Sequence, residues 1–327
     1  MDIRVIDFQA HYMPKEYLEM LGKRKEPPYI EKMGDKYNFQ YGIGSSYIIN
    51  KNFYNINENL ASMDHAGIDL QVLSMNIPGA EILDVKSSIE IARLINDSYA
   101  EIVASHPGRF LAFTTLPWRD TDASLNELER ATKKLDFRGI TLFSNIMGLP
   151  VDDQRFWPIY ELAEALEQPI LIHPTRPIIA DAVNDYGLES MVGYIFDTTL
   201  AALRLILSGV LERYPNLRFV LPHAGSTLPY LAGRIDFQST LNQASRKNIK
   251  EPPSFYIKKL YMDSVCLSSG ALKMAYDLVG PDQILFATDH PFVGMEESLD
   301  LIKKMDISEQ NQRKILLDNA RRLLKMS

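Results

Sequence analysis

With 327 residues, 46% of them hydrophobic, and a formal net charge of −7, the chain can bury a large core and is too acidic to favour nucleic acid or an anionic membrane surface. No uninterrupted apolar run reaches the ~18 to 20 residues of a membrane span, and the opening MDIRVIDFQAHYMP lacks a charged leader followed by an apolar core. The single cysteine, Cys266, excludes an internal disulfide, so a soluble cytoplasmic protein with no nucleic-acid or membrane partner is expected.

Short β-branched runs alternate with longer amphipathic stretches along the whole chain. The first predicted strand covers 3–9 and runs toward His11. Residues 22–57, rich in Tyr, Lys, Gly and Asn, break the rhythm and read as an excursion over one end of the fold. Further strands are predicted at 70–75, 110–116, 139–143, 169–173, 218–221, 260–263 and 284–288. Runs such as Ile284-Leu285-Phe286-Ala287 suit a parallel sheet covered on both faces. Helical spacing appears at 120–135 (Leu125, Leu128, Ala131) and 152–167 (Phe156, Ile159, Tyr160, Ala163), then at 198–213 and 308–325, the last starting on Ser308. Eight strands alternating with helices favour a closed (β/α)8 barrel, the TIM-barrel form of the α/β class. No Gly-x-Gly-x-x-Gly follows a predicted strand, which leaves a dinucleotide-binding open sheet without support. One domain over 1–327 is the expectation.

Active sites in such barrels sit at the C-terminal ends of the strands. Here those ends carry His11, His173, His223, Asp263 and Asp289, with His290 next in sequence and Gln9 on the same strand face as His11. Imidazole and carboxylate are preferred by zinc and similar divalent ions, and a catalytic site holds about three or four protein ligands with a position left open. Groups of this kind meeting at the rim are therefore expected to hold one divalent cation, with Zn2+ favoured and Mn2+ the alternative. His65 and His106 are assigned to helix C-termini, where the dipole favours a partly positive ring. Cys266 is expected to be a small buried residue. Arg176 and Arg234 are candidate carboxylate or phosphate clamps. The aromatics Tyr12, Trp118, Tyr194, Phe196, Tyr230 and Phe292 fall near strand ends, and as a set they point to a flat unsaturated or aromatic carboxylate as substrate.

These residues lie in stretches that resemble the amidohydrolase-related family (amidohydrolase 2), which includes the aminocarboxymuconate semialdehyde, γ-resorcylate and 5-carboxyvanillate decarboxylases. The resemblance covers nearly the whole chain. It is carried by Phe137-Arg138-Gly139-Ile140, Asp152-Asp153 with Phe156-Trp157-Pro158-Ile159-Tyr160, Pro169-Ile170-Leu171-Ile172-His173-Pro174, Tyr214-Pro215-Asn216-Leu217, His223-Ala224-Gly225, Gly233-Arg234, Thr288-Asp289-His290-Pro291-Phe292 and Asn319-Ala320-Arg321-Arg322. It implies metal ligation by His11, His173 and Asp289, and a catalytic role for His223 with Asp289. It further implies that Arg234 reaches a substrate carboxylate across a homodimer interface and that Phe292 lines the pocket. Gln9 departs from the family's usual His or Glu. Its amide would either ligate through the carbonyl oxygen, hydrogen-bond a metal water, or do neither. Non-oxidative decarboxylation of a small unsaturated or aromatic acid is the first expectation. The alternatives are a metal-dependent hydrolase and a non-catalytic relative with a weakened site.

Overall fold

The structure, a computed structural model, describes residues 4–42 and 45–326. Among these residues eight strands form the ring: β1 (Ile6–His11), β2 (Leu70–Ser74), β3 (Phe110–Ala112, continued by Thr114–Thr115), β4 (Ile140–Phe143), β5 (Ile170–His173), β6 (Phe219–Leu221), β7 (Tyr261–Asp263) and β8 (Ile284–Leu285). Neighbours pair in parallel in this order. Phe113 interrupts β3, but its N–H still donates to Leu73 and the N–H of Thr114 donates to Gly139, so the ring is continuous there. Closure comes where β8 meets β1: Phe8 N–H donates to Phe286 O (2.9 Å), Asp289 N–H to Gln9 O (3.0 Å) and His11 N–H to His290 O (2.8 Å). All eight predicted strands are present, several trimmed by one to three residues. Ile3, the predicted start of the first, lies outside the described residues.

Strict alternation along β1 would send Phe8 and His11 to opposite faces. A register shift between Asp7 and Ala10 lets both reach the interior. Phe8 meets Phe113 edge-on at 5.2 Å and belongs to a buried cluster with Leu171, Val220 and Leu285 from across the ring. Asp7, fully buried, accepts from Gln71 Nε2 (2.8 Å), Thr288 Oγ1 (2.6 Å) and Thr288 N (2.9 Å), fastening β1 to both neighbours just below the metal-facing end. Burial pushes its carboxyl up from 3.8 to about 6 despite those donors.

The outer layer follows the predicted periodicity. The helix Thr121–Lys134 is capped by Asp120, whose side chain accepts from Ala123 N–H. The 308–325 pattern opens on Ser308, which accepts from Asn311 N–H, and continues in three helical pieces. The 198–213 pattern starts earlier than expected, at Tyr194, and breaks at Gly209, whose φ of 87° suits glycine. The run Glu189–Leu207 is long and apolar enough to cross a membrane by length and composition. It contains Asp197 and Arg204, and its Ala201, Ala202, Leu205 and Ile206 are buried in the core. The excursion holds what sequence reading left undefined: an antiparallel sheet of Tyr29–Met33, Lys36–Gly42 and Ser45–Ile49. Phe39, Tyr41, Ile49 and Phe53 anchor it in the main core. Cys266, expected to be buried, is half-buried with Sγ 3.3 Å from Ser268 O.

Candidate metal centre

Three strand ends converge on one point. Metal-capable atoms of His11, His173 and Asp289 all lie within 4.8 Å of one another, and all three residues are buried. His11 Nε2 stands 2.8 Å from Asp289 Oδ1 and 3.1 Å from His173 Nε2, with the two rings crossing at 88°. The opposite ring nitrogens are already engaged. His11 Nδ1 faces Ser74 Oγ at 3.1 Å, while that hydroxyl donates onward to Ala10 O at 3.2 Å. His173 Nδ1 donates to Pro174 O at 2.7 Å. With both Nδ1 protons committed to oxygen acceptors, both Nε2 lone pairs point at the space that Asp289 Oδ1 also faces. Such a grouping is repulsive by itself and complementary to a cation.

Electrostatics agree with that arrangement. Burial opposes ionisation of Asp289; without a cation, a proton shared from His11 Nε2 and positive charge on the neighbouring rings bring the carboxyl down from 3.8 to about 2, and a cation placed among the Nε2 lone pairs would take over that role. Burial, then the neighbouring His11, lowers His173 from 6.5 to about 3, keeping it a neutral donor at physiological pH. Gln9 turns its amide nitrogen to Asp289 Oδ1 at 3.0 Å, and its Oε1 is buried without a partner. That orphaned oxygen is a further feature a bound cation, or water on it, would satisfy. The donor set fits a divalent metal.

His223 sits on a short turn after β6 where His223, Ala224, Gly225 and Ser226 all have positive φ (56°, 52°, 77° and 57°). Four such residues in succession are costly for side-chain-bearing positions. The turn brings His223 to the wall of the cavity that His173 and Asp289 line. Its Nδ1 is sealed without a partner, and burial first of all lowers its pKa.

That cavity, about 400 Å3, is also lined by Tyr194 and Phe292, as expected from sequence. Phe292 stands 6.2 Å from the His11 ring and 5.4 Å from Tyr47. The remaining expected aromatics lie elsewhere. Tyr12 and Trp118 are buried in packing, Trp118 donating to Thr141 O, while Phe196 and Tyr230 are 44% and 78% exposed. Both expected arginine clamps also miss this cavity. Arg234 projects from the exposed side of the helix Leu228–Leu241, and Arg176, two residues beyond Pro174, lines a neighbouring cavity. Asp263 ends β7 inside the core with Oδ1 accepting from Val265 N–H, and burial raises its pKa well above 3.8. His65 and His106 close helices, as read from sequence. Sequence reading missed Ser74, Asn76, Ser46, Tyr47 and Glu189. Ser74 and Asn76, small polar residues at the end of an apolar strand, carried a usable signal; Ser46 and Tyr47 lie in the third strand of the excursion and Glu189 opens a helical run, and no local pattern encodes where those elements pack.

Residues 6–326 match the family described as amidohydrolase. The chain belongs to the amidohydrolase family. Within it, the chain is 34% identical to the γ-resorcylate decarboxylase of Polaromonas over 286 residues, 81% of this chain and 86% of that one. The 5-carboxyvanillate decarboxylase structure of Sphingomonas paucimobilis superposes with a TM-score of 0.89 at 27% identity, covering 100% of both chains. The dihydroxybenzoic acid decarboxylase of Polaromonas, solved with manganese and the inhibitor 2-nitroresorcinol, gives 0.83 at 29% identity, covering 99% of this chain and 97% of that one. The (β/α)8 barrel read from the order of strands and helices, and the amidohydrolase type implied by the resemblance, are the observed fold.

Proposed function

We propose that this chain is a metal-dependent, non-oxidative decarboxylase acting on a benzoate with a hydroxyl next to the departing carboxylate. The observation that carries the reading is the convergence of His11, His173 and Asp289 on the floor of a cavity walled by the Phe292, Tyr47 and Tyr194 rings. The relatives support the substrate class: γ-resorcylate and 5-carboxyvanillate both place hydroxyl beside carboxylate, and 2-nitroresorcinol puts a nitro group where that carboxylate would be. Ligand types alone favour Zn2+, whereas the manganese of the Polaromonas relative favours Mn2+, and we propose Mn2+ first. His11, His173 and Asp289 would hold the ion, with Gln9 Oε1 turned to it or to a water beside it.

When bound, the cation supplies a Lewis acid that orients a carboxylate and neighbouring hydroxyl and offsets their negative charge. The protein's part is proton handling and exclusion of water. Asp289 is ionised at rest and His223 neutral, so either accepts the proton of the substrate hydroxyl as the substrate settles. The same proton then goes to the ring carbon as its bond to CO2 breaks, and the phenolate left behind takes a proton from solvent on release, so no electrons are gained or lost and no redox cofactor is needed. Phe292 and Tyr47 cover the flat face of the ring and keep the reacting carbon dry.

Among the described residues, no arginine or lysine lines the cavity. Exposed Phe196, Leu200, Tyr230, Phe237 and Leu241 lie on the two helices around Arg234. They support pairing of two copies, with Arg234 of each serving the other's cavity. The test of function is incubation of the Mn2+-loaded chain with 2,6-dihydroxybenzoate, salicylate and 5-carboxyvanillate. Stoichiometric CO2 and phenol are expected. No CO2 from any hydroxybenzoate, with ester or amide substrates cleaved instead, would return the reading to a hydrolase.

A further inference from the structure

A second cavity of about 340 Å3 opens on the same face of the barrel, close in size to the 400 Å3 of the metal-facing one. The two share loops. After β5, Pro174 lines the first and Arg176 the second; after β2, Asn76 lines the first and Glu81 the second. Between them stands a buried partition, the Tyr41 hydroxyl 2.6 Å from Thr175 Oγ1 and accepting Arg176 N–H at 2.9 Å.

The lining of this cavity has an unbalanced charge. Arg24, whose Nε donates to Pro28 O at 2.7 Å and leaves both Nη groups over, and the exposed Arg176 both line it, and among the described residues neither guanidinium has a carboxylate partner. Among the described residues, Glu81 is the one acidic side chain of the lining; it is 2% exposed, takes Gly79 N–H on Oε1, and leaves Oε2 sealed without a partner. Burial raises Glu81 from 4.5 to about 7, so at neutral pH a large share of it is an uncharged hydrogen-bond donor rather than a counter-ion. Room has been kept for one of the cations: a Cβ on Gly42 would come within 3.0 Å of Arg176 Nη1. Pro28, Ile82 and Pro177 supply apolar wall. Two fork-shaped donors, a buried carboxyl and apolar sides suit a planar carboxylate on a small hydrophobic body.

We infer that this is a second ligand site, which binds a small aromatic carboxylate through Arg24 and Arg176, separately from the metal-facing cavity. The test is a 19F NMR titration of the metal-loaded full chain with 4-fluorobenzoate, run beside the R24Q/R176Q double variant. The variant is expected to bind one equivalent fewer than the native chain, and R176Q alone to weaken that equivalent roughly tenfold or more through loss of a charge-assisted pair. Equal numbers of equivalents in native and double-variant chains would overturn the inference. Because the readout is a difference in equivalents, it holds whether or not the metal-facing cavity takes the probe, and so stands or fails apart from the decarboxylase reading.

Discussion

His11 and His173 each commit one ring nitrogen to a protein oxygen and so present the other, in a fixed tautomer, to the same point. Removing either a ligand or its charge should therefore act on metal and turnover together. H173A and D289N are each expected to retain less than about a tenth of an equivalent of metal by elemental analysis and to lose turnover. H223N, outside the ligand set, should keep its metal and lose turnover by roughly 100-fold or more, the usual worth of a positioned proton-transfer group; native rates in that variant would refute its role. Gln9 gives a further test. Q9E adds a charge beside Asp289 and should tighten metal binding roughly tenfold in a competition titration, whereas unchanged affinity would place residue 9 outside the ion's surroundings. The ligands were legible in the sequence because each ends an apolar strand, and a strand end has one destination in a closed barrel. The cavity that Arg176 lines was not, because position in sequence does not say where a side chain turns in the loop after Pro174.

Among the elements, the turn at 223–226 and the 3-10 segment Ala80–Ile82 carry the most consequence for their length. Gly225 has φ 77°, and a Cβ there would meet Met262 Sδ at 2.3 Å. G225A should lower stability by about 1 to 3 kcal/mol from overpacking alone, and should displace His223, so turnover should fall while metal content holds. Glu81 makes a pH-dependent contribution of known sign. Its folded pKa of about 7 exceeds the 4.5 of the unfolded chain, so its stabilisation is complete below 4.5 and disappears as pH rises to 7. E81Q removes that loss. Compared with the native chain, its unfolding free energy in urea should improve by about 3 kcal/mol between pH 4.5 and 7; parallel pH profiles would show that Glu81 titrates normally. Periodicity revealed the helices and strands at this scale because packing repeats every 3.6 or 2 residues. It could not reveal the excursion's sheet, whose register depends on the partner strands, nor the shift in β1 that turns Phe8 inward.

For the whole molecule, the proposed pairing of two copies makes a joint prediction about mass and substrate affinity. F237D with L241D should halve the mass seen in sedimentation and, by withdrawing the partner's Arg234, raise KM about tenfold with metal retained. A native chain that already sediments as a monomer would remove that assignment. The seam of the ring sets a wider condition on metal capture. Two of the three ligands, His11 and Asp289, come from opposite ends of the chain and meet only where β8 is stitched to β1 through three backbone bonds. Until the final strand arrives, the two imidazoles have no carboxylate beside them. The ion is thus a sensor of completion: it binds a finished ring and lends it stability in proportion to the logarithm of free metal, so a cell short of the metal would hold this enzyme not merely idle but less firmly shut.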